Sequence, residues 1–504
     1  MQRKVLLATV LAALVAAALT VRSRPFSLGQ ERIPAPAPSP LPAAAQANAY
    51  LGVGSCASPA CHGGPDSAEN NKRRGKWNSA YTVWVEHDAH AKAYSVLYSP
   101  ESKKILRNLD HLDPTADPQP YRDVRCLSCH GDHGYTVPVA KTPEEGGACL
   151  ADGVGCEACH GAAREWLAEH TVRTWNKADT KTHRDTHGPA ADHDGRMVNT
   201  SDMAVRAGIC VDCHIGSPGA AGMPARNMDH DMIASGHPRL TFEMSAFLAN
   251  MPHHWDDHVE KGRDDYAAQV WAVGQIASTQ AALQLLAARA RAAEAAAAAG
   301  PSETDRWPEL SEYDCYTCHH GLAMNGYRQN IKSAGKPRKL GRYAWGTWYL
   351  PMTCLLLEKG PFEPANPASV LARVDRVARL LEDPIPAPSA VRAVADSAAR
   401  EMQSLLDGVK KARYDRQAVD RMLQATKDHP SKSWDEACGQ YLLFRNACSK
   451  DPRFTEPLAA ARKLLQFRDE KRDHGPPIQY NSPRDFDPGK FNDTMNELRA
   501  LLPR

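Results

Sequence analysis

Five short stretches of the chain combine two cysteines with a histidine placed directly after the second. Four share one spacing: Cys126-Leu127-Ser128-Cys129-His130, Cys156-Glu157-Ala158-Cys159-His160, Cys210-Val211-Asp212-Cys213-His214 and Cys315-Tyr316-Thr317-Cys318-His319. The first in order is stretched, Cys56-Ala57-Ser58-Pro59-Ala60-Cys61-His62. Thiols at such spacing can form thioethers to the two vinyl groups of a porphyrin, and the adjacent imidazole then reaches the iron from below. A lone Cys-X2-Cys reads equally as half a zinc site, a redox dithiol or a disulfide. Histidine makes up 21 of 504 residues. Four such pairs each followed by His would therefore arise by chance about once in a few hundred thousand. Zinc chemistry asks for no His at that place. The pattern predicts five covalently bound c-type haems (heme c), with the ten cysteines as thioether sites and His62, His130, His160, His214 and His319 as proximal ligands. In the first stretch two extra residues must bulge away from the vinyl edge, and Ser58-Pro59 supplies turn chemistry for that. A Cys56–Cys61 disulfide is the alternative there.

Each iron then needs a sixth ligand. Of the histidines outside the motifs, only His429 and His474 lie beyond residue 340. Histidines collecting where the motifs collect point to paired imidazoles, which give low-spin iron stable in both oxidation states. His90, His170, His237, His133 and His254 are the candidate distal ligands, with His320 a further one. His170 follows His160 by ten residues, too near to swing over the same ring, so it is expected to serve a neighbouring haem. Methionine is the competing ligand, and Met223, Met228, Met232, Met244 and Met251 lie in the same region.

The elements that must position these residues are expected to be helical. From Tyr50 to about residue 330 each motif has few residues to itself, which favours short helices joined by irregular loops over sheet. Only 42% of residues are hydrophobic and 7% aromatic, so much of the apolar core in this part is expected to be porphyrin. Gly63, Gly131 and Gly161 follow proximal histidines directly and can end a short helix there. A run of helix formers from Tyr266 to Ala299, closed by Gly300-Pro301, predicts one long helix of about 50 Å, read as a spacer with its Ala-rich end towards solvent or a partner and its aromatic and Leu positions facing the body. Beyond residue 340 the motifs stop. Val370, Val374, Val377 and Leu381, then Val391, Val394, Ala398, Met402, Leu405 and Val409, keep helical spacing on either side of Pro384–Pro388. Trp434, Ala437, Tyr441 and Phe444 suggest a third helix, and a short one ends the chain. Cys149, Cys354, Cys438 and Cys448 fall outside the motifs and are read as free thiols.

The fold class is therefore mainly α: short helices and loops around stacked haems, plus a helical C-terminal cap. The expected divisions are 1–24 as a secretory signal or uncleaved anchor, 25–48 as a Pro/Ala-rich polyproline II linker, 49–330 as the five-haem part, and 331–504 as the cofactor-free cap. Basic residues in Met1–Lys4 ahead of an apolar run, Val5–Val21, place the body in the periplasm, tethered to the inner membrane if the segment is not cleaved. A formal charge of +2 gives no reason to expect nucleic acid. The expected partners are redox proteins, and the sequence leaves oligomeric state open.

Gly52-Val53-Gly54-Ser55-Cys56 to His62, followed by Trp84 and His90-Ala91-Lys92-Ala93, resembles the cytochrome c554-type multihaem domain. So does Gly153-Val154-Gly155-Cys156 to Gly161 with a later histidine. The resemblance covers about residues 50–325. It implies a mostly helical fold with closely stacked haem pairs, distal histidines from distant segments, periplasmic electron transfer, and His90 and His170 as distal ligands. The sequence departs from it in having five sites and the stretched first one. Two functions follow: a periplasmic carrier passing electrons between partners, or an oxidoreductase acting on a small nitrogen or sulfur compound at one open-coordinate haem. Catalysis needs an exchangeable position on iron, which two imidazoles remove. The Cys-X2-Cys-Lys signature of pentahaem nitrite reductases is absent, so the carrier is favoured. Intact mass of a Cys56→Ala variant tests the first site: loss of one haem from five is expected, and five retained would mean attachment there through a single thioether.

Overall fold

The computed structural model describes residues 50–131, 150–172, 184–185, 197–219, 225–255, 262–300, 307–315, 318–319, 343–362, 367–466, 469–470, 478–479 and 486–503. The expected signal or anchor, the linker and Cys149 lie outside these. The fold is mainly α. The described strands are two short ladders, β1 (Arg184–Asp185) parallel to β2 (Met197–Val198) and β3 (Asp469–Glu470) antiparallel to β4 (Ile478–Gln479).

The first half carries short helices: α1 (Ala68–Arg74), α2 (Ala80–His87), α3 (Pro100–Leu109), α4 (Val124–His130) and α5 (Cys156–His160). Local chemistry sets their starts. Ser67 accepts from Asn70 N before α1, Ser99 accepts from Ser102 N before Pro100 of α3, and Asp123 accepts from Arg125 N before α4. Among the described residues of this half, buried apolar side chains form only small clusters: Tyr94, Leu97 and Leu150, and Ala163 with Trp166.

The second half is different. Helices α6 (Met203–His214), α7 (His230–Ala234), α8 (Met244–Asn250) and α9 (Tyr266–Ala299) lead into α10 (Leu350–Lys359), α11 (Pro367–Leu381), α12 (Pro388–Lys411), α13 (Arg416–Ala425), α14 (Trp434–Cys448), α15 (Thr455–Leu465) and α16 (Pro488–Ala500). One apolar cluster runs from Met203 to Leu502. The long helix α9 has the expected bounds, but it is the axis of this core and no mere spacer. Trp271, Ile276, Leu283 and Leu286 are fully buried, and α6, α8, α10, α12 and α14 all pack on it. Its small residues explain this: they let neighbours close in from several sides. At Gly274 a Cβ would sit 2.5 Å from Met244 Cβ, so α8 and α9 meet there without room for a methyl group. The Ala-rich end, from Arg291 onward, is largely exposed, as its composition suggests. The core therefore runs continuously across residue 330, joining α6 to the C-terminal helices. Lys410 Nζ bonds Asp202 Oδ2 at 2.7 Å, adding a polar tie between α12 and the cap of α6.

The stripes expected on α11 and α12 are buried at Val370, Val374, Val377, Leu381, Val391, Ala398, Met402, Leu405 and Val409. Cys438 and Cys448 share α14, and with Cys354 they are free thiols. Among the described residues no helix is long and apolar enough to cross a membrane.

A buried ion pair fastens the two halves of this core. Arg239 donates Nη1 and Nη2 to the two carboxylate oxygens of Asp435, at 3.0 and 2.9 Å, and Thr347 Oγ1 donates to the same carboxylate at 2.6 Å. The Asp435 side chain is completely buried. Its removal would strand a guanidinium that keeps 24% exposure. Asp435→Ala is therefore expected to lower unfolding free energy by about 3 kcal/mol, towards the low end for a broken buried pair, as measured by denaturant titration.

Candidate functional site

The cysteine–histidine motifs sit at helix ends or tight turns. Cys126–His130 and Cys156–His160 close α4 and α5, and Cys210–His214 forms the last turn of α6. Gly161 caps α5 at φ +80, a conformation that favours glycine. Cys315, Cys318 and His319 lie in a turn in which His319 N donates to Cys315 O at 2.8 Å. The stretched first motif keeps the same closure: His62 N donates to Cys56 O at 3.3 Å. Its two extra residues are taken up by a turn on the Ser58 carbonyl, which accepts from Cys61 N at 2.8 Å and Gly63 N at 2.9 Å. Ser58, Pro59 and Ala60 are exposed, so the bulge points to solvent. Cys56 and Cys61 are not joined to each other.

Each motif histidine faces one other imidazole. The ring centres of His62 and His170 are 6.2 Å apart with planes at 9°, and those of His90 and His214 are 6.1 Å apart at 82°. His130 faces His237 at 6.3 Å and 82°, His160 faces His254 at 6.5 Å and 73°, and His230 faces His319 at 6.4 Å and 28°. These distances have one chemical meaning in common. A metal–imidazole nitrogen bond is about 2 Å, and about 1.1 Å more reaches the ring centre, so two imidazoles trans on one metal stand about 6.3 Å apart. Among the described residues no three His, Cys, Asp or Glu side chains converge to hold a bare ion. A pair of imidazoles at this gap fits a metal whose remaining donors come from a flat macrocycle between them.

The rings are also oriented for such a role. Nδ1 donates to the Trp77 carbonyl from His62 (2.8 Å), to Ala93 O from His130 (2.8 Å), to Leu167 O from His170 (2.6 Å) and to Pro238 O from His237 (2.9 Å). His90 Nδ1 donates to Asp88 Oδ1 at 2.9 Å. Each bond fixes the tautomer with the proton on Nδ1 and the lone pair on Nε2, the atom a metal would take. Burial pushes His130 and His254 below the usual imidazole range, and burial with the nearby His90 takes His214 down to about 4. All three are thus neutral, with a free lone pair.

Of the distal candidates read from the sequence, His90, His170, His237 and His254 each face a motif histidine, and His170 faces the first motif and not its sequence neighbour. His133 and His320 lie outside the described residues. Met244 is fully buried in the apolar core and Met251 packs against that core. The sequence reading missed His230. Asp229 starts its one-turn helix by accepting from Met232 N, and Glu309 Oε1 accepts from His230 N at 2.9 Å. Its signal was faint: an Asx-capped turn one spacer before His237.

The motifs also meet each other. The Cys56 side chain lies beside that of Cys156, and the Cys129 side chain beside that of Cys213. The first motif therefore abuts the third, and the second abuts the fourth. Gly63 is a condition of the first motif's own turn, since a Cβ there would lie 1.9 Å from the Ala57 carbonyl. Gly63→Ala is expected to cost about 1–3 kcal/mol of stability in denaturant unfolding. Gly54→Ala, with nothing within 4 Å of the added carbon, is expected to leave it almost unchanged.

Comparison with known proteins gives one family and one relative. Residues 56–161 match the family described as cytochrome c554 and c-prime. Cytochrome c-554 of Nitrosomonas europaea is 32% identical over 123 residues, which is 23% of this chain and 48% of that protein. The chain thus spans about half the length of the relative it matches. No solved structure matches. Residues 56–161, the stretch with the first three cysteine–histidine motifs, are therefore similar in sequence to the cytochrome c554 and c-prime family.

Proposed function

We propose that the protein is an exported, periplasmic multihaem c-type cytochrome that passes electrons between redox partner proteins along five covalently bound haems. The observation that carries this reading is the set of five imidazole pairs at 6.1–6.5 Å, one for each motif. The cysteines of each motif would hold the porphyrin by thioethers. His62 with His170, His130 with His237, His160 with His254, His214 with His90, and His319 with His230 would be its axial ligands. When bound, haem c supplies a one-electron Fe(III)/Fe(II) couple.

The rest is done by the chain. Backbone carbonyls and Asp88 hold the imidazoles in fixed tautomers, so little reorganisation accompanies a change of charge between the rings. Contact between the first and third motifs, and between the second and fourth, supports placing these haems edge to edge or face to face. A histidine opposite every motif leaves no exchangeable position, which favours the carrier over an oxidoreductase working on a small nitrogen or sulfur compound. The match to the cytochrome c554 and c-prime family over three motifs supports the same class, and the basic and apolar N-terminus supports export.

Electron paramagnetic resonance of the oxidised protein tests the reading. Parallel imidazole planes split the two iron d orbitals that interact with them, whereas perpendicular planes leave these nearly degenerate and make the g tensor strongly anisotropic. Planes at 9° and 28° predict two rhombic low-spin signals, and planes at 73°, 82° and 82° predict three of the large-g type. His230→Ala is expected to convert one of the rhombic signals to high spin. A high-spin ferric signal in the unmodified protein that responds to nitrite, hydroxylamine or sulfite would overturn the carrier reading.

A further inference from the structure

Both motif contacts have a buried charged side chain at their centre, and the two charges differ. At the contact of the first and third motifs it is Glu157, which lies between Cys156 and Cys159 and is 3% exposed. Its Oε1 accepts from Leu51 N at 3.0 Å and Ala163 N at 2.7 Å, and its Oε2 accepts from Gly52 N at 2.7 Å. Leu51 and Gly52 lead into the first motif, so one carboxylate ties the two motifs together. Asp152 Oδ2 accepts from Val53 N at 3.3 Å beside it. All these donors are backbone amides, which orient a negative charge without cancelling it.

At the contact of the second and fourth motifs it is Arg226, 4% exposed. Its Nε donates to the carbonyl of Ser128 at 2.6 Å, and its Nη1 donates to Asp212 Oδ2 at 2.5 Å and Ser217 Oγ at 3.3 Å. Ser128 lies between the second motif's cysteines and Asp212 between the fourth's. One guanidinium thus spans both motifs, and the carboxylate it meets there is neutralised.

We propose that Glu157 and Arg226 are positioning residues that hold four of the haems as two couples and set the couples at different potentials. A buried, unneutralised carboxylate stabilises the ferric state of the first couple, haems one and three, and lowers its potential. The Arg226–Asp212 pair is close to neutral as a whole, so the second couple, haems two and four, sits higher. Electrons then run from the first couple to the second. Each transfer oxidises one iron of the first couple from Fe(II) to Fe(III) and reduces one of the second from Fe(III) to Fe(II), with the donor and acceptor proteins supplying and removing the electron. The inference rests on the five-haem reading above.

Spectroelectrochemical titration of the full, haem-loaded protein tests it, with intact mass and the low-spin signals recorded on the same samples. Glu157→Gln is expected to raise two of the five midpoints, changing the equilibrium between couples about tenfold, or about 59 mV for one electron. Glu157→Asp, which keeps the charge and shortens the reach, is expected to lose thermal stability while leaving those midpoints near their original values. Asp212→Asn removes the carboxylate that Arg226 meets at 2.5 Å and is expected to raise two other midpoints, so it reads the second couple even if the Glu157 variants fail to load. Five low-spin haems whose midpoints do not move in Asp212→Asn, or move together in Glu157→Gln, would overturn the offset. Fewer than five haems in the unmodified protein would instead overturn the reading beneath it.

Discussion

A gap of about 6.3 Å between two imidazole centres is the constraint on which the rest of this structure turns. It occurs at all five motifs. A gap this wide is too small for a second layer of side chains. It has to be held open from outside. In the pairs His62–His170 and His130–His237 the chain does so through Nδ1 of both rings, and in the pair with His214 through Nδ1 of His90, each anchored to a carbonyl or carboxylate already fixed by local turns. The short helices and tight loops of the first half follow from this, because an isolated turn can deliver one ring at one angle without the length a packed helix needs.

The same constraint divides the molecule's stabilising interactions. Among the described residues between Tyr50 and Val172, buried apolar side chains gather into clusters of two or three, and hydrogen bonds to Glu157, Asp88 and backbone carbonyls add to the order. From Met203 onward an apolar core of ordinary density takes over. Helix α6 belongs to both regimes: its Ala207 and Val211 are buried in the core, and its last turn ends in His214. Arg239 has a similar double position, two residues after His237 and clamped to Asp435 on α14. Helical mass at the C-terminus thus steadies segments that present imidazoles some two hundred residues earlier.

Much of this was legible in the sequence because covalent chemistry leaves sharp signatures. On the proposed reading the motif cysteines and histidines are fixed by vinyl spacing, and the stripes on α11 and α12 are fixed by helical period. The bulge at Ser58–Pro59 was readable from turn chemistry. Distal histidines were harder, since a ligand that arrives through space has no required neighbour in sequence. His90, His170 and His237 stood out by local context, and His254 was one of several further candidates. His230 did not, because what fixes it is Glu309, bonded to its backbone from 79 residues away. The role of α9 was misjudged for a related reason: alanine reads as featureless by composition, yet in a core it is what allows several helices to share one axis.

The cross-linking pattern bears on how far the matched segment can stand alone. Residues 56–161 contain the first three motifs, but the rings facing them are His170, His254 and His237, all beyond that segment. The histidine it does hold opposite a motif, His90, faces the fourth, outside it. On the proposed reading the segment is an acceptor of ligands as much as a carrier of haems. Its irons would stay open on one face until the chain to His254 is in place. Ligand exchange between early and late segments therefore couples completion of the fold to closure of the irons, so that a partly folded chain would expose open iron and the finished one would not.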